Sequence, residues 1–283
     1  MDGQDANRGW QDEKRESLLR DSPFRVVMRF ALHLLAALLL IEEDAGCHED
    51  GTADDERLAD ESRAVAGLGE AAGLGGIRAG EVLRVYAYLL QKRCIDREIL
   101  NAFVRKKLIY ESCEKSKDGT KEYHNAVFVG FDEHGVPRHG HKRGLYTIGK
   151  SYRGNIEGSD PKHSFHYLGG DNTLYVFEAP IDLLSYISLH PEGWQEHNYV
   201  ACCGTSSIPV LEMVRQLPQL RQVRLCLDND AAGHAASERM AELLKEHGLT
   251  AVRLVPQQKD WNDDLTADQK IENGRRDLCQ TFC

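Results

Sequence analysis

The sequence predicts an α/β fold, a parallel sheet with helices on both faces, preceded by a smaller basic α+β domain. Two observations carry this. Beyond Gly169-Gly170, short apolar and β-forming runs alternate with helical patterns, the rhythm of βαβ units that builds a parallel sheet. Before that point the charge balance is reversed. Residues 78–170 hold 17 Lys and Arg against 11 Asp and Glu, a net +6, between flanks of −9 over residues 1–77 and −7 over residues 171–283. A basic block between acidic ones suits a protein that grips a polyanion with one part and holds a metal with another.

These shifts divide the chain into residues 1–80, an acidic and partly disordered N-terminal region; 81–170, the basic domain; 171–270, the α/β domain; and a tail, 271–283. Residues 44–80 are rich in Gly, Ala, Asp and Glu, a composition with too little apolar surface to bury. The apolar run "FALHLLAALLLI", 30–41, contains His33 and falls short of the ~20 residues that cross a bilayer. It ends in Glu42-Glu43-Asp44 and not in a small-residue cleavage site, so it predicts a buried or partner-binding helix, not a membrane span or signal peptide. Eight cysteines include the adjacent Cys202 and Cys203 but no C-x-x-C, which predicts reduced thiols in a cytoplasmic protein.

In the basic domain, "EVLRVYAYLLQKR" has helical periodicity, and Asp96 is placed to cap a second helix, "REILNAFVRKKLIY", with Arg105, Lys106 and Lys107 late in it. The pair reads either as a helix-turn-helix or as scaffolding. "AVFVGFD" and "GVPRHGHKRGLYTI" read as a β-hairpin. His134, His139 and His141 cluster there beside Arg138, Lys142 and Arg143. No cysteine or carboxylate stands at zinc-like spacing, so a solvated basic hairpin that touches phosphates is the expectation.

In the α/β domain the strands are "TLYVFEA", "YVACCG", "QVRLCLD" and "TAVRLVP". The helices between them are "PIDLLSYISLH", "SIPVLEMVRQL" and "AAGHAASERMAELLKEHG". Functional residues of such sheets gather at the carboxyl ends of the strands. Three ends carry distinctive groups: Glu178, the turn Gly204-Thr205-Ser206-Ser207, and Asp228-Asn229-Asp230. Residues i and i+2 of a strand point to one side, so Asp228 and Asp230 can aim at one point. Two carboxylates held together call for a cation, and hard oxygen donors suit Mg²⁺. Pro180 fits the first position of its helix, which places Asp182 in the first turn. Bland roles compete: Asp230 as a helix cap, Gly204, Thr205 and Ser206 as an ordinary βα turn instead of a phosphate-binding loop, and Asp260, Asn262 and Asp263 as turn and cap residues.

"VFEAPIDLLS", "ACCGTSS" and "LCLDNDAAGHAA" in that order resemble the Toprim domain of bacterial-type primases, topoisomerases and certain nucleases. "KDWNDDL", 259–265, resembles the segment that closes this domain in primase-like members. "YLLQKRCIDREILNAFVRKKLIYE" through "GSDPKHSF" is similar to a domain of unknown function that precedes Toprim in proteins of plasmids and integrative elements. The resemblance spans about residues 81–270. It implies Glu178 as general acid/base, Asp228 and Asp230 as ligands of Mg²⁺ or Mn²⁺, and Asp182 as either a further metal carboxylate or one that stands behind the ligands. It implies DNA, single-stranded, as partner, with replication or conjugation proteins beside it and no membrane. Glu-Ala-Pro stands where many members have Glu-Gly, which narrows backbone freedom beside the acid. No cysteine set suits the zinc-binding domain of full primases, which counts against autonomous priming. A primase-like nucleotidyltransferase, a nuclease and a non-catalytic DNA-binding accessory protein all remain open.

Overall fold

The chain folds around two sheets, each fixed by the hydrophobic pattern of its strands. The computed structural model describes residues 80–116, 118–146 and 152–281; the readings made for 1–79, including the apolar run 30–41, lie outside the described residues. Helix α1 (Gly80–Ala87) runs into a π-helical turn (Tyr88–Lys92). Asp96 then caps α2 (Arg97–Arg105), its carboxylate accepting from the backbone N–H of Glu98 at 2.8 Å and Ile99 at 3.1 Å.

The first sheet is an antiparallel meander, β1 (Ile109–Lys115), β2 (Glu122–Phe131), β3 (Pro137–Gly144) and β4 (Arg153–Asn155), in that spatial order. The hairpin expected from "AVFVGFD" and "GVPRHGHKRGLYTI" is β2–β3. The helix expected to continue through "KKLIY" does not. Lys107 takes a left-handed φ of 62°, and the N–H of Leu108 bonds back to the carbonyl of Phe103 at 3.0 Å. This closure ends α2 and releases Ile109 into β1.

The second sheet has the order β5-β7-β6-β8-β9. Its parallel members are β6 (Thr173–Phe177), β7 (Asn198–Ala201), β8 (Gln222–Leu225) and β9 (Thr250–Arg253), matching the four runs read from the sequence. The sheet is mixed, because the two-residue strand β5 (His166–Tyr167) pairs antiparallel with β7. Helices α3 (Pro180–Leu189), α4 (Ile208–Gln216) and α5 (Ala231–Glu246) follow β6, β7 and β8. Helix α6 (Trp261–Thr281) follows β9, beginning within the "KDWNDDL" segment and running into the residues read as a tail.

One core packs Leu174, Val176, Val200, Val223 and Leu225 of the sheet against Val210 and Met213 of α4 and Ala236, Met240 and Leu244 of α5. Near-complete burial of such side chains is worth about 1.5–3 kcal/mol each before entropy is counted. An aromatic group joins the two sheets. The Phe103 ring lies 5.7 Å from Phe165 and 5.6 Å from Trp194, and Phe128 meets Phe165 edge-on at 5.4 Å. Both sheets belong to one compact unit. Among the described residues no helix is long and apolar enough to cross a membrane.

Candidate functional site

Strand register brings the strand-end carboxylates together. β6 lies between β7 and β8, with Val176 opposite Leu225 and Phe177 opposite Ala201. Glu178 therefore leaves the sheet beside the segment that carries Asp228. The N–H of Gly204 bonds the carbonyl of Glu178 at 3.0 Å, so the second loop is stitched to the first. Asp230 does cap α5, accepting from the N–H of Gly233 at 2.9 Å. A Cβ at Gly233 would collide with the carbonyl oxygen of Asp228, so the glycine lets the helix start close against the Asp228 backbone. Arg253 donates to that same carbonyl at 2.9 Å and to the Gly233 carbonyl at 2.8 Å, and it also bonds Ser237.

The electrostatics follow from this convergence. Burial first, then the charges of Asp228 and Asp230, push the Glu178 carboxyl up to about 7. Burial, Asp260 and Asp230 push Asp228 up to about 6. Asp182, buried in the first turn of α3, is driven well above the carboxylate range by desolvation, Asp260, Asp228 and Glu178. Among the described residues, Glu178 Oε1 and Asp228 Oδ1 are buried without a hydrogen-bond partner. Unpaired buried oxygens on mutually repelling carboxylates are what a bound cation would satisfy. An all-oxygen donor set suits Mg²⁺ or Mn²⁺, so the residues present fit such an ion.

Asp260 belongs to this group electrostatically, beyond the turn-and-cap role weighed for it, although it also caps α6 through the N–H of Asp263 at 2.8 Å. Its loop is tied in by Asn229, whose N–H bonds the Lys259 carbonyl at 2.8 Å. The Trp261 indole donates to the Cys226 carbonyl, also at 2.8 Å. Asn262 bonds both Arg93, at 2.9 and 2.8 Å, and Ser185, at 2.9 Å, linking α6 to the helical N-terminal segment and to α3. Two cations that sequence reasoning did not single out, Arg153 of β4 and Lys259, pull the Asp228 carboxyl down against these effects; Arg153 also acts on Glu178. Lys259 opens the "KDWNDDL" segment, a usable signal. Arg153 sits in a three-residue strand too short to show one.

The other sequence candidates are placed as follows. In the Gly204, Thr205, Ser206 loop, the Ser206 hydroxyl oxygen accepts from the N–H of Ile208 at 3.3 Å, a local turn bond. Arg105, Lys106 and Lys107 are exposed at the end of α2, with the Lys106 ammonium 4.9 Å from the Tyr167 ring centroid. Arg138 is paired with Asp132 at 2.7 Å, Lys142 with Glu114 at 2.8 Å, and Arg143 lies 3.4 Å from the Tyr88 hydroxyl. The hairpin histidines correct one expectation. His139 and His141 are buried, not solvated; burial pushes His139 down to about 4, and His141 bonds Asn155 at 2.8 Å. Alternation in "PRHGHKRG" points these two rings inward, which a reading of the segment as a charged surface misses.

Comparison with known proteins gives the following. Residues 175–265 match the Toprim-like family, and residues 87–172 match the family described as "Protein of unknown function (DUF3991)". An uncharacterized protein of Bacillus anthracis, pXO2-78, is 27% identical over 220 residues, covering 68% of this chain and 61% of that protein. An uncharacterized protein of Mycoplasma pneumoniae is 31% identical over 96 residues, 33% of this chain and 43% of that one. The chain thus spans less than two thirds of either relative's length. Among solved structures, the primase fragment of the bacteriophage T7 primase-helicase protein is similar with a TM-score of 0.46 and 19% identity, over 69% of this chain and 73% of that one. The E. coli primase catalytic core gives 0.45 and 17%, over 66% and 69%. The chain carries a Toprim-like domain over residues 175–265, preceded over residues 87–172 by the domain of unknown function DUF3991.

Proposed function

We propose that the protein carries out Mg²⁺- or Mn²⁺-dependent phosphodiester chemistry on DNA, a nucleotidyl transfer of the primase-like kind, as part of a mobile element. One observation carries the reading: Glu178 and Asp228 leave the ends of adjacent parallel strands, each with a buried, unpartnered oxygen, and the charges of Asp228 and Asp230 both act on the Glu178 carboxyl. The Toprim-like match over the same residues supports it, and the relative named for the pXO2 plasmid supports the mobile-element setting.

Asp228 and Asp230 would hold the ion, with Asp260 adding negative charge beside them and Asp182 standing buried behind. The ion, when bound, would neutralise charge on the reacting phosphate. Glu178 accepts a proton from an attacking hydroxyl and returns it to a leaving group, the general acid–base role. Pro180 and the first turn of α3 hold Asp182 in place behind it. The exposed Arg105, Lys106 and Lys107 contact the DNA backbone without reading sequence, with single-stranded DNA the preferred form. Replication or conjugation proteins are the partners this role implies.

The test is incubation of purified protein with labelled single-stranded DNA, nucleotides and Mg²⁺ or Mn²⁺, beside Glu178→Gln. The expected outcome is a metal-dependent product longer than the substrate, reduced about 10²–10⁴-fold in the variant. Shorter products would replace the transfer reading with a nuclease. DNA binding with no product from either protein would overturn the enzyme reading in favour of an accessory role.

A further inference from the structure

We propose a second divalent-cation site of nitrogen–oxygen type, built from Glu133, His163 and Glu212, which pins the tip of the β2–β3 hairpin to helix α4. One donor from each residue, an imidazole nitrogen and two carboxylate oxygens, lies within 4.8 Å of the others. They come from three separate elements: the turn after β2, the 3-10 turn Pro161–His163, and α4. They share no residue with the Glu178 group.

The 3-10 turn that presents His163 is rigidly held. Asp160 caps it, accepting from the N–H of Lys162 at 3.0 Å. On one side it presses on β2 so tightly that a Cβ at Gly130 would collide with the carbonyl oxygen of His163. On the other, the buried Ser164 hydroxyl donates to the Ala201 carbonyl at 2.6 Å. Such anchoring fixes the backbone that carries the ring. Among the described residues, His163 Nδ1 is nevertheless buried with no hydrogen-bond partner. An imidazole nitrogen deprived of water and given no donor or acceptor is a costly arrangement unless something binds there.

Glu212 is 8% exposed, and the Arg215 guanidinium bonds its carboxylate at 2.6 Å. Arg215 also approaches Glu133 at 3.6 Å. One guanidinium against two carboxylates leaves a negative charge. Glu212 Oε1 accepts from Arg215 Nη2 at 2.6 Å, Arg215 Nε at 3.1 Å and Gln216 Nε2 at 2.8 Å, so the lone pair open to a metal is on Oε2, which among the described residues accepts from Arg215 Nε alone, at 3.2 Å. A tetrahedral shell at zinc bond lengths sets its donors ~3.3 Å apart, inside the 4.8 Å within which these three lie. Glu133, at the hairpin tip with its side chain 47% exposed, supplies the movement that closes it. One imidazole with two carboxylates selects a borderline ion, Zn²⁺ foremost, over Mg²⁺, which prefers oxygen alone.

A further group, Cys113, Glu122 and His124, has comparable spacing, but both ring nitrogens of His124 already have partners, Nδ1 on Glu111 at 2.8 Å and Nε2 on Arg84 at 2.6 Å, whereas His163 Nδ1 has none among the described residues. The experiment removes this group and the strand-end carboxylates from consideration. Metal-free protein carrying Cys113→Ser and Asp228→Asn is titrated calorimetrically with Zn²⁺ in the presence of excess Mg²⁺. The same background is then titrated with Glu133→Gln or His163→Gln added. One Zn²⁺ per chain is expected in the background, with a rise in Tm, and affinity at least tenfold weaker in each added variant. No Zn²⁺ uptake by the background protein, or equal uptake with and without Glu133→Gln, overturns the proposal. Because Glu133 lies on an exposed turn, that variant decides the matter even if His163→Gln fails to fold.

Discussion

Glu178 sits where the fold is least comfortable electrostatically, and that discomfort is measurable. Its carboxyl is raised from the ordinary 4.5 to about 7 by burial and by Asp228 and Asp230. A carboxyl whose folded pKa exceeds its unfolded value favours the native state when protonated, so this contribution is lost as pH rises from about 4.5 through 7. Asp228, raised to about 6, acts in the same sense. Metal-free protein is therefore expected to lose stability between pH 5 and pH 8, and Glu178→Gln to flatten that fall. Discounted for the exposure of Glu178, its share is about 1–2 kcal/mol at pH 8, or roughly 2–8 °C in Tm. Thermal melts of both proteins at pH 5 and pH 8 check this; parallel curves would contradict it. Mg²⁺ should stabilise the wild type at pH 8 and much less at pH 5, where protons compete for the same oxygens. At this scale the strand-end positions of the candidate carboxylates were legible. An acid directly after "LYVF" and the pair Asp228/Asp230 after "LCL" have no packing reason to stand at strand ends. The electrostatic share of Asp260 in the group was not, because the turn that carries it is brought beside Asp228 by the Asn229–Lys259 and Trp261–Cys226 bonds, which no local pattern encodes.

The elements show how little room the site has. Helix α5 starts directly on the Asp228 carbonyl, and only the missing side chain of Gly233 allows it. Gly233→Ala must move either the helix start or Asp228. The expected cost is about 1–3 kcal/mol of stability, together with weaker Mg²⁺ binding, because the displaced group is a proposed ligand. Denaturant unfolding and metal titration of the variant read the two effects separately. A variant with wild-type values for both would mean that the close approach is not required. The Ala-Ala-Gly after Asp230 signalled a helix start, and the βαβ rhythm placed α3, α4 and α5 correctly, since each apolar face packs on the strands beside it. Two elements misled. The pattern "VRKKLIY" suits a helix until Lys107 turns left-handed, and β5 is two residues long, too short for alternation to show, so the antiparallel edge of the second sheet was not expected.

For the whole molecule, charge and topology act together. The chain is net −10, yet residues 78–170 are net +6, so DNA contact would have to come from a local surface working against an acidic remainder. The aromatic contacts of Phe103, Phe128, Phe165 and Trp194 hold the end of α2 against the second sheet. Contacts between residues this distant in sequence carry no periodic signal, which is why the joining of the two sheets could not be read beforehand. Within the basic surface the candidates are not equivalent. Arg138 and Lys142 already have carboxylate partners at 2.7 and 2.8 Å, whereas Lys106 and Lys107 are exposed beyond the end of α2. A paired cation releases fewer counterions from DNA, because its field is partly spent on its partner. Affinity for single-stranded DNA should therefore fall linearly on a log–log plot against salt, and Lys106→Gln with Lys107→Gln should lower the slope by about 1.4, or ~0.7 per phosphate contact. Arg138→Gln should change it by less than half a contact. Fluorescence anisotropy across about 50–200 mM salt measures the slopes. An unchanged slope in the lysine variant would take the end of α2 out of the DNA interface, and a large change in Arg138→Gln would move that interface onto the hairpin.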